Sequence, residues 1–442
     1  PPATYTTAAY EAGLLKSITA NGGAFLLSGI TYHPSGMPAV ITHSSSGSMV
    51  ETITQAANGM ARPNSITITA PNETVPFTTG TYAYDAAGNI KTMGTDHFRY
   101  DRFSRLVEAQ MGSIAPARTQ TYGFDAYGNM TAVATTSGPS ETFEVIGNTN
   151  RITLPAPVAL AQYDPAGNLT SWSDPTTTAT YAWDLFNRMT HWGSGSEGWS
   201  YVYTADDERL WAIKDVAGAT HTNWTFRGLG NEVLVRDERR PDAGSLAAPS
   251  VVASVCPAGA PLIGVFCDNF ESGNLTAWSS ATGNGPRRTL TLYAYREGKL
   301  LAGLEIAGPF WDFGLDHLGS IRATAEFVLG EISVRHTYFP FGREATSTGQ
   351  DDQVMKFSGH ERDLQSTTTN TLDDLDYMHA RFHSPLTGRF LSTDPVLAVK
   401  RAMKRPQAWN RYAYVMRNPL KYVDPTGELP RPELLSALAA EW

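Results

Sequence analysis

Large apolar residues recur along the chain in a fixed arrangement with polar turn residues. The arrangement is an aromatic residue, Asp, two variable residues, Gly-Asn and an aliphatic residue. It occurs in full three times, in the segments Tyr84–Ile90 (YDAAGNI), Phe124–Met130 (FDAYGNM) and Tyr163–Leu169 (YDPAGNL). Copies that keep less of the pattern begin at Tyr100, Phe143, Trp183, Tyr203 and Phe226. The chain therefore contains an internal repeat of about 20 residues.

Each copy predicts one β-hairpin, because about 20 residues is the length of two short strands and their turns. The aromatic residue ends one strand, and the aliphatic residue restarts the alternation of the next. Asp caps the turn, and Gly or Asn supplies the positive φ that the turn needs. The predicted turn residues are Asp85, Gly88, Asn89, Asp125, Gly128, Asn129, Asp164, Gly167 and Asn168. We expect at least eight consecutive antiparallel hairpins, with the aromatics at 84, 124, 163 and 183 in one common layer.

Composition supports an all-β fold. The 442 residues include 39 Gly and 27 Pro, 11% are aromatic and only 17% are charged. This mixture favours many short strands joined by turns over amphipathic helices. We predict antiparallel β-hairpins that form a curled or spiralling sheet. One short helix is predicted over 430–442, where Leu434, Leu435 and Leu438 follow Pro430.

Charge and hydropathy argue against two classes of partner. The net charge is −9, and no run of Lys and Arg is interleaved with aromatics, so nucleic acid is not expected. The densest basic stretch, Lys400–Arg405, is interpreted as a solvated loop. No apolar stretch approaches the roughly 18 residues of a membrane-spanning helix. No cofactor is implied, and no metal site either, since nothing completes one around His379 and His383.

Residues 240–290 interrupt the repeat, and we interpret them as an inserted surface loop. They contain the two cysteines of the chain, Cys256 and Cys267. A disulfide that closes this loop and two unpaired thiols are both compatible with the spacing. Asp268 and Glu271 lack the alternating spacing of oxygen ligands in a calcium loop.

The repeats resemble the YD repeats of RHS proteins, of Tc-toxin B and C components and of teneurins. In that family the hairpins form a long sheet that spirals into a hollow cocoon. From residue 312 onwards the chain resembles the RHS-associated core, through the ordered phrases DHLGSIR, YFPFG, FSGHERD, LDYMHARF, GRFLSTDP, NRYAY and NPLKYVDPTG. The predicted divisions are an N-terminal β segment (1–79), a YD-repeat sheet (80–239), the inserted loop (240–290), the core (291–429) and a tail helix (430–442).

The resemblance implies at most one enzymatic activity, an aspartyl-type self-cleavage. In such family members the core closes one end of the cocoon and cuts after the Asp-Pro-x-Gly phrase, which frees a C-terminal toxin. The implied catalytic residues are Asp394 and Asp424, with Arg389 beside them, and the cut falls near Glu428–Leu429. Two close carboxyl groups can share one proton, so one serves as acid while the other activates water. We expect the two carboxyl groups to approach each other through one water.

Glu428 departs from the family pattern. Self-cleaving members usually have Leu or another bulky apolar residue directly after the Gly. An Asp before Pro is also a common turn cap, so Asp394 and Asp424 are compatible with a purely structural core. The residues after Gly427 are too few for a toxin domain. An effector is therefore expected beyond residue 442, or the protein has none.

The wall that the chain can build is short. Roughly 30 strands spaced by about 4.8 Å make a ribbon of about 145 Å, which is one turn of a ring about 45 Å wide. We expect an exposed strand edge near the N-terminus, where residues 24–30 are uncharged, and an inner apolar face that the chain cannot fully cover. The predicted partners are further shell sequence or other copies of the chain, besides an enclosed C-terminal toxin.

Two functions remain open at this point. The first is a structural β-shell that encapsulates or presents a C-terminal effector and undergoes a single autoproteolytic cleavage. The second is an extracellular structural or adhesive protein that assembles with itself, for example as a filament, and has an inert core. Both place the protein outside a bacterial cell, either secreted or at the cell surface.

Overall fold

The computed structural model describes residues 6–20, 25–44, 49–138, 140–153, 161–173, 178–195, 197–216, 219–228, 230–240, 287–305, 309–327, 329–345, 353–363, 374–396, 399–404 and 406–432. In these ranges the chain is almost entirely β. Within each sheet, strands that are neighbours in sequence pair with each other, and the paired strands are antiparallel. The predicted fold class is confirmed.

The first sheet contains β1 (Thr6–Glu11), β2 (Leu14–Ala20), β3 (Phe25–Tyr32), β4 (Pro38–His43), β5 (Met49–Gln55), β6 (Pro63–Thr69) and β7 (Phe77–Thr78). The second contains β8 (Tyr82–Tyr84), β9 (Ile90–Met93), β10 (Asp96–Tyr100), β11 (Leu106–Met111), β12 (Arg118–Phe124), β13 (Met130–Thr135) and β14 (Glu141–Thr142). A two-stranded ribbon follows, made of β15 (Glu144–Val145) and β16 (Ile152–Thr153).

The third and largest sheet has 13 strands. They are β17 (Ala161–Tyr163), β18 (Leu169–Ser173), β19 (Thr178–Trp183), β20 (Met189–Ser194), β21 (Glu197–Tyr203), β22 (Arg209–Val216), β23 (Ala219–Arg227), β24 (Val233–Arg240), β25 (Arg287–Arg296), β26 (Lys299–Glu305), β27 (Phe310–Leu315), β28 (Ile321–Glu326) and β29 (Glu331–Arg335). Strands β24 and β25 flank the predicted insertion and pair directly, so the sheet continues across it. Cys256, Cys267 and the segment 241–286 lie outside the described residues.

The C-terminal region is built from short elements. A four-stranded sheet contains β30 (Glu361–Asp363), β31 (Leu375–Met378), β32 (Arg381–Ser384) and β33 (Arg389–Phe390). The helix α1 (Val399–Lys404), three 3-10 turns (Phe357–Gly359, Pro406–Trp409 and Val415–Arg417) and the pair β34 (Tyr422–Val423) and β35 (Arg431–Pro432) complete it.

Two local predictions need correction. The basic stretch that begins at Lys400 was expected to be a loop, but Val399–Lys404 is helical, since Val, Lys, Arg, Ala and Met permit a helical turn. The tail helix was expected to span 430–442, but Arg431–Pro432 pairs as a strand with Tyr422–Val423. The rest of that tail, 433–442, lies outside the described residues.

The hairpins led by Tyr84, Tyr100, Phe124, Tyr163, Trp183 and Tyr203 each have a bulge immediately before the leading aromatic residue. The register shifts between Ala83 and Tyr84, and Tyr84 then pairs with Ile90. The same shift and the same six-residue step join Phe124 to Met130, Tyr163 to Leu169 and Trp183 to Met189. A bulge increases local twist. Repeated at each hairpin, it accounts for the curl of the ribbon.

The leading aromatics lie in one layer and connect successive hairpins. They pack against a common buried cluster, as predicted for positions 84, 124, 163 and 183. Their polar atoms donate to a backbone carbonyl of the preceding hairpin. The bonds run from Tyr100 Oη to Ile90 (3.0 Å), from Tyr163 Oη to Ile152 (3.0 Å), from Trp183 Nε1 to Leu169 (2.7 Å) and from Tyr203 Oη to Met189 (2.6 Å).

The ribbon curls so that the first sheet contacts the end of the 13-stranded third sheet. Leu27, Ile41 and Ile68 of the first sheet share a buried cluster with Ala323 and Ala325 of β28. The side-chain amide of Asn72 donates to the carbonyl of Leu329 over 2.8 Å. The strand β1 pairs only with β2 among the described strands, and its side chains from Thr7 to Glu11 are exposed. The expected strand edge is therefore present.

The C-terminal region covers the inner face of the wall. Phe341, Tyr377 and Phe382 belong to the same buried cluster as Tyr122 and Trp192 of the repeat strands. The prediction that the chain cannot cover its own apolar face is therefore wrong for β8 to β22. The repeat period predicts strands but carries no information on where the C-terminal region packs, and that region fills the concave side.

Candidate functional site

The Gly-Asn turns share one hydrogen-bonding scheme. In the first, Asp85 Oδ1 accepts the backbone N–H groups of Ala87 (2.9 Å) and Asn89 (2.8 Å). Its Oδ2 accepts the side-chain amide of Asn89 over 2.8 Å. Gly88 has φ +77°, which an L residue rarely adopts. The turns of Asp125 and Asp164 repeat the bonds between the Asp and the Asn that follows it by four positions.

The residue four positions after the Asp, here called the fifth turn residue, decides what satisfies Oδ2. In two degenerate copies it is an arginine: Arg105 Nε donates to Asp101 Oδ2 (2.6 Å) and Arg188 Nε donates to Asp184 Oδ2 (2.7 Å). Asn and Arg both donate, so either residue completes the cap.

The predicted catalytic residue Asp424 begins a turn of the same kind. Its Oδ1 accepts the backbone N–H of Glu428 over 2.9 Å, and Gly427 has φ +70°. Here, however, the fifth turn residue is Glu428, whose carboxylate cannot donate when ionised. Oδ2 of Asp424 is instead met by Nη2 of Arg381 at 3.3 Å. The chain thus uses the repeat turn to present a carboxylate to another part of the fold.

Arg381 brings the two predicted catalytic carboxyl groups together. Its Nη2 lies 3.3 Å from Oδ2 of Asp394 and 3.3 Å from Oδ2 of Asp424. Arg381 begins β32 and is only 2% exposed, with its guanidinium 3.6 Å from the ring centre of Phe390. Asp394 follows β33, and its Oδ1 accepts the backbone N–H of Val396 over 2.8 Å. The side chains of both aspartates therefore converge on one guanidinium nitrogen.

The environment favours the protonated forms of both carboxyl groups. Burial raises the pKa of Asp394 and of Asp424 above the usual range, and Arg381 opposes this rise. Neighbouring carboxylates add to the rise: Asp394 raises the pKa of Asp424, and Glu428 raises the pKa of Asp394. Burial lowers the pKa of Arg381. Two neighbouring carboxyl groups whose pKa values are raised by burial can hold one proton between them, which suits acid–base chemistry.

The segment predicted to be cleaved passes through the same site. Arg381 Nη2 contacts the carbonyl oxygen of Glu428 at 3.5 Å, and its Nε bonds to the carbonyl of Gly427. The N–H of Ala380 donates to the carbonyl of Thr426 over 3.1 Å. A Cβ on Gly427 would lie 2.0 Å from the carbonyl oxygen of Met378, so only glycine fits. Leu429, the residue after Glu428, is exposed.

Arg389 does not lie where the sequence predicted it. Its Nη2 donates to the carbonyl of Asn150 over 2.6 Å, and its guanidinium lies 4.4 Å from the ring centre of Tyr412. Successive residues of a strand point to opposite faces, so Arg389 and Phe390 face different sides of β33. Arg381, which stacks on Phe390, is the arginine of the pair. No local signal in the sequence distinguished it from its neighbours.

His360 fixes the other side of the Asp424 turn. Its Nδ1 lies 3.0 Å from the hydroxyl oxygen of Ser358, and the ring bonds to the backbone of Pro425. Burial lowers the pKa of His360 to about 4, so the ring is neutral near pH 7. A neutral ring can accept a hydrogen bond from the Ser358 hydroxyl at Nδ1 and donate a hydrogen bond to a carbonyl through the other nitrogen.

In the part of the chain that the structure describes, no three His, Cys, Asp or Glu side chains are grouped as metal ligands. No helix within the described ranges has the length and apolar character needed to cross a membrane.

Comparison with known families decides what the repeat is. Residues 163–191, which include the Gly-Asn turn of Asp164 and the Arg-type turn of Asp184, match the family model described as RHS Repeat. The chain contains an RHS repeat. No curated protein matches the sequence significantly.

Solved structures share the fold of this RHS-repeat chain. The TcdB2-TccC3 structure has a TM-score of 0.69 at 16% identity and matches 96% of this chain. The complex TcdB2-TccC3-Cdc42 has a TM-score of 0.68 at 16% identity, again over 96% of the chain. The Tc holotoxin pore of Photorhabdus luminescens has a TM-score of 0.66 at 15% identity over 99%. The RHS-repeat chain spans about a fifth of the length of each of these chains, 20% to 21%.

Proposed function

We propose that this RHS-repeat chain is a segment of an extracellular bacterial β-shell that encloses or presents a C-terminal effector. We further propose that it cleaves itself once, between Glu428 and Leu429. The observation that carries the proposal is the position of Arg381, whose Nη2 contacts Asp394, Asp424 and the Glu428 carbonyl together.

The chemistry is a peptide hydrolysis. One carboxylate of the pair takes a proton from a water molecule, and the water oxygen attacks the carbonyl carbon of Glu428. The other carboxyl group gives its proton to the developing oxyanion, toward which Arg381 points a charged N–H group. The carboxyl group that took the proton from water then gives it to the nitrogen of Leu429 and the C–N bond breaks. One hydroxyl proton of the intermediate returns to the other carboxylate, and the new C-terminal carboxyl group of Glu428 ionises.

Within the site, the side chains have separate tasks. Asp424 Oδ1 holds the N–H of Glu428, which orients the peptide on the side before the cut. Asp394 is the more accessible carboxylate, with 17% of its side chain exposed against 1% for Asp424, so water reaches it more easily. Gly427 allows the segment to lie against the β31–β32 turn.

The test is the appearance of a shortened chain. A reporter domain is fused after Trp442, and the protein is compared with its Asp394→Asn and Asp424→Asn variants. We expect the unaltered protein to release the reporter with a new N-terminus at Leu429, and both variants to stay intact. The matched control is Asp184→Asn, which removes the carboxylate of a repeat turn whose partner is Arg188. Release of the reporter from both Asp394→Asn and Asp424→Asn would contradict the proposal.

The second candidate function is a self-assembling structural protein with an inert core. It is favoured by Glu428, by the turn cap that Asp424 makes, and by the open edge of β1. An intact reporter in the unaltered protein, together with growth of particle mass with concentration in light scattering, supports this alternative. A discrete particle of single-chain mass contradicts it.

A further inference from the structure

The fifth residue of a Gly-Asn turn faces in two directions. The side-chain nitrogen of Asn89 is used within the turn, by Asp85, which leaves its oxygen for another partner. That oxygen accepts the side-chain amide of Asn418 over 2.8 Å. The second turn repeats the arrangement, since Asn129 Oδ1 accepts the side-chain amide of Asn410 over 2.8 Å. The four asparagines are at most 4% exposed.

Asn410 and Asn418 belong to one segment, residues 409–421, which we call the strap. The strap makes further bonds to the three Gly-Asn turns. Lys421 Nζ donates to the carbonyl of Ala87 (2.6 Å), Arg417 Nε to that of Gly128 (2.9 Å) and the Tyr412 hydroxyl to that of Gly167 (2.6 Å). The strap thus contacts all three full copies of the repeat: Asn418 and Lys421 reach the first turn, Asn410 and Arg417 the second, and Tyr412 the third.

The arginine-type turns share one use of the fifth residue, a bond to a later turn, and lack the other, a bond accepted from the strap. Arg105 Nη1 donates to the carbonyl of Asp125 over 2.9 Å, and Arg188 Nη1 bonds to Asp207 Oδ1 over 2.8 Å. Both bonds run sideways to a later turn of the wall, as do the bonds that the side-chain amides of Asn89, Asn129 and Asn168 donate to Ser104, Asn150 and Asn187. A guanidinium also has no acceptor atom, so it cannot receive an amide from the strap.

We infer that the Gly-Asn form of the turn is a docking site for the strap, in which the Asn oxygen accepts a primary amide. Asn in the fifth position therefore marks the repeats that hold the C-terminal region, whereas Arg in that position marks repeats that only bind their neighbours. The third turn fits this distinction partly: the strap reaches it through Tyr412, and Asn168 Oδ1 is buried with no hydrogen-bond partner among the described residues. It supplies a natural control.

The test measures whether Asn89 and Asn418 act as a pair. Backbone hydrogen exchange of residues 409–421 is followed in the full chain, with Asp394→Asn present throughout so that cleavage cannot alter its end. Asn89→Ala and Asn418→Ala should each speed exchange in the strap by about tenfold, the effect of losing one buried hydrogen bond. The double variant should be no faster than either single variant, because both remove the same bond. Exchange in β5 and β6 should not change.

Asn168→Ala is the matched control. It removes the same cap from the same kind of turn but no amide pair with the strap. When Asn168→Ala is combined with Asn418→Ala, the fold-increases in the exchange rate of the strap should multiply, because the two residues do not form a pair. Independent effects of Asn89→Ala and Asn418→Ala, equal to those of the control pair, would overturn the inference.

A second variant covers the case in which loss of the Asn89 cap unfolds the turn. Asn418→Asp keeps the size of the side chain but sets a carboxylate oxygen against Asn89 Oδ1, so exchange in the strap should exceed that of Asn418→Ala. Equal or slower exchange in Asn418→Asp would also overturn the inference. The inference does not depend on self-cleavage, because each measurement is made in a chain that lacks the Asp394 carboxylate.

Discussion

Nη2 of Arg381 lies 3.3 Å from Oδ2 of Asp424, the atom that in repeat turns is satisfied by the fifth turn residue. Glu428 occupies that fifth position and cannot satisfy the atom when ionised. The departure from the repeat pattern therefore has a structural result. It leaves Oδ2 of Asp424 to Arg381, the arginine that also contacts Asp394. A cap that stabilises a hairpin elsewhere becomes half of a carboxyl pair here.

Arg381→Met should slow self-cleavage by about 100-fold, since a charged donor is lost from the carbonyl oxygen of Glu428. Loss of this cation should also raise the pKa of both Asp394 and Asp424, because Arg381 lowers each of them. The pH–rate profile should therefore move to higher pH, which a purely structural role would not produce. Rates of reporter release between pH 4 and pH 8 measure this shift. In Arg389→Met the profile should keep its position; equal shifts in both variants would contradict the assignment of Arg381.

Glu361 joins the wall to the C-terminal region through buried ion pairs with Arg209 and Arg227. Burial alone would raise its pKa, but the two arginines lower it to about 2. A lowered pKa stabilises the fold fully above the ordinary value of about 4.5, and this stabilisation is lost as the pH falls toward 2. Glu361→Gln should lower the free energy of unfolding at pH 7 by about 3–5 kcal/mol.

The difference between Glu361→Gln and the unaltered protein should shrink as the pH falls from 4.5 to 2, as measured by urea denaturation. Glu11→Gln is the control, because Glu11 makes an exposed pair with Lys16 and should change nothing measurable. A difference that stays constant across the acid range would show that the charge of Glu361 contributes no stability.

Sequence reasoning reached the hairpins because their information is local. Asp85 and Asn89 lie four positions apart and make their bonds within one turn, so spacing alone predicted them. The same reasoning considered Asp424 as a catalytic residue or as a turn cap before Pro, but did not recognise that Asp424 to Glu428 follows the repeat turn in all but its last residue. The sequence had already shown the Asp-x-x-Gly spacing there.

Contacts between distant parts of the chain were beyond the sequence pattern. Asn89 and Asn418 meet although 329 positions separate them, and neither residue type implies a partner. Whether Arg381 or Arg389 meets the two aspartates depends on the face of β33 that each arginine approaches. The structure shows this face directly, because Arg381 packs on Phe390 and Arg389 packs on Tyr412. Periodicity predicts which residues form strands, whereas the tertiary pairing of single polar groups requires the folded coordinates.

His43 connects the first sheet to the 13-stranded third sheet. Its ring is fully buried, with Nε2 2.8 Å from Glu51 and Nδ1 3.4 Å from Asp312 of β27. Burial alone would lower the pKa of His43, but the neighbouring carboxylates of Asp312 and Glu51 raise it to about 9. A raised pKa stabilises the fold fully below the ordinary value of about 6.5, and this is lost as the pH rises through 9.

The unaltered protein should therefore lose on the order of 3 kcal/mol of unfolding free energy between pH 6.5 and pH 9.5, relative to His43→Gln. Urea denaturation of both proteins at the two pH values gives this difference directly. His33→Gln serves as the control, because His33 lies part-buried and bonds to a backbone oxygen, not to a carboxylate. If unaltered protein and His43→Gln show parallel pH dependence, the ring is not charged in the fold.

Gly427→Ala tests whether the segment before the cut needs its close approach to the β31–β32 turn. An added Cβ would lie 2.0 Å from the Met378 carbonyl oxygen, and the φ of +70° is itself unfavourable for alanine. The chain must then move away from Arg381, which holds the carbonyls of Gly427 and Glu428.

Gly298→Ala is the matched control, since Gly298 has φ +75° and nothing within 4 Å of its Cβ position. Backbone strain alone should cost each variant about 1–3 kcal/mol of unfolding free energy. Gly427→Ala should lose about 1–3 kcal/mol more through overpacking, and it should release no reporter, whereas Gly298→Ala cleaves normally. Equal stability of the two variants, or cleavage by Gly427→Ala at the unaltered rate, would show that this close approach neither stabilises the turn nor positions the bond.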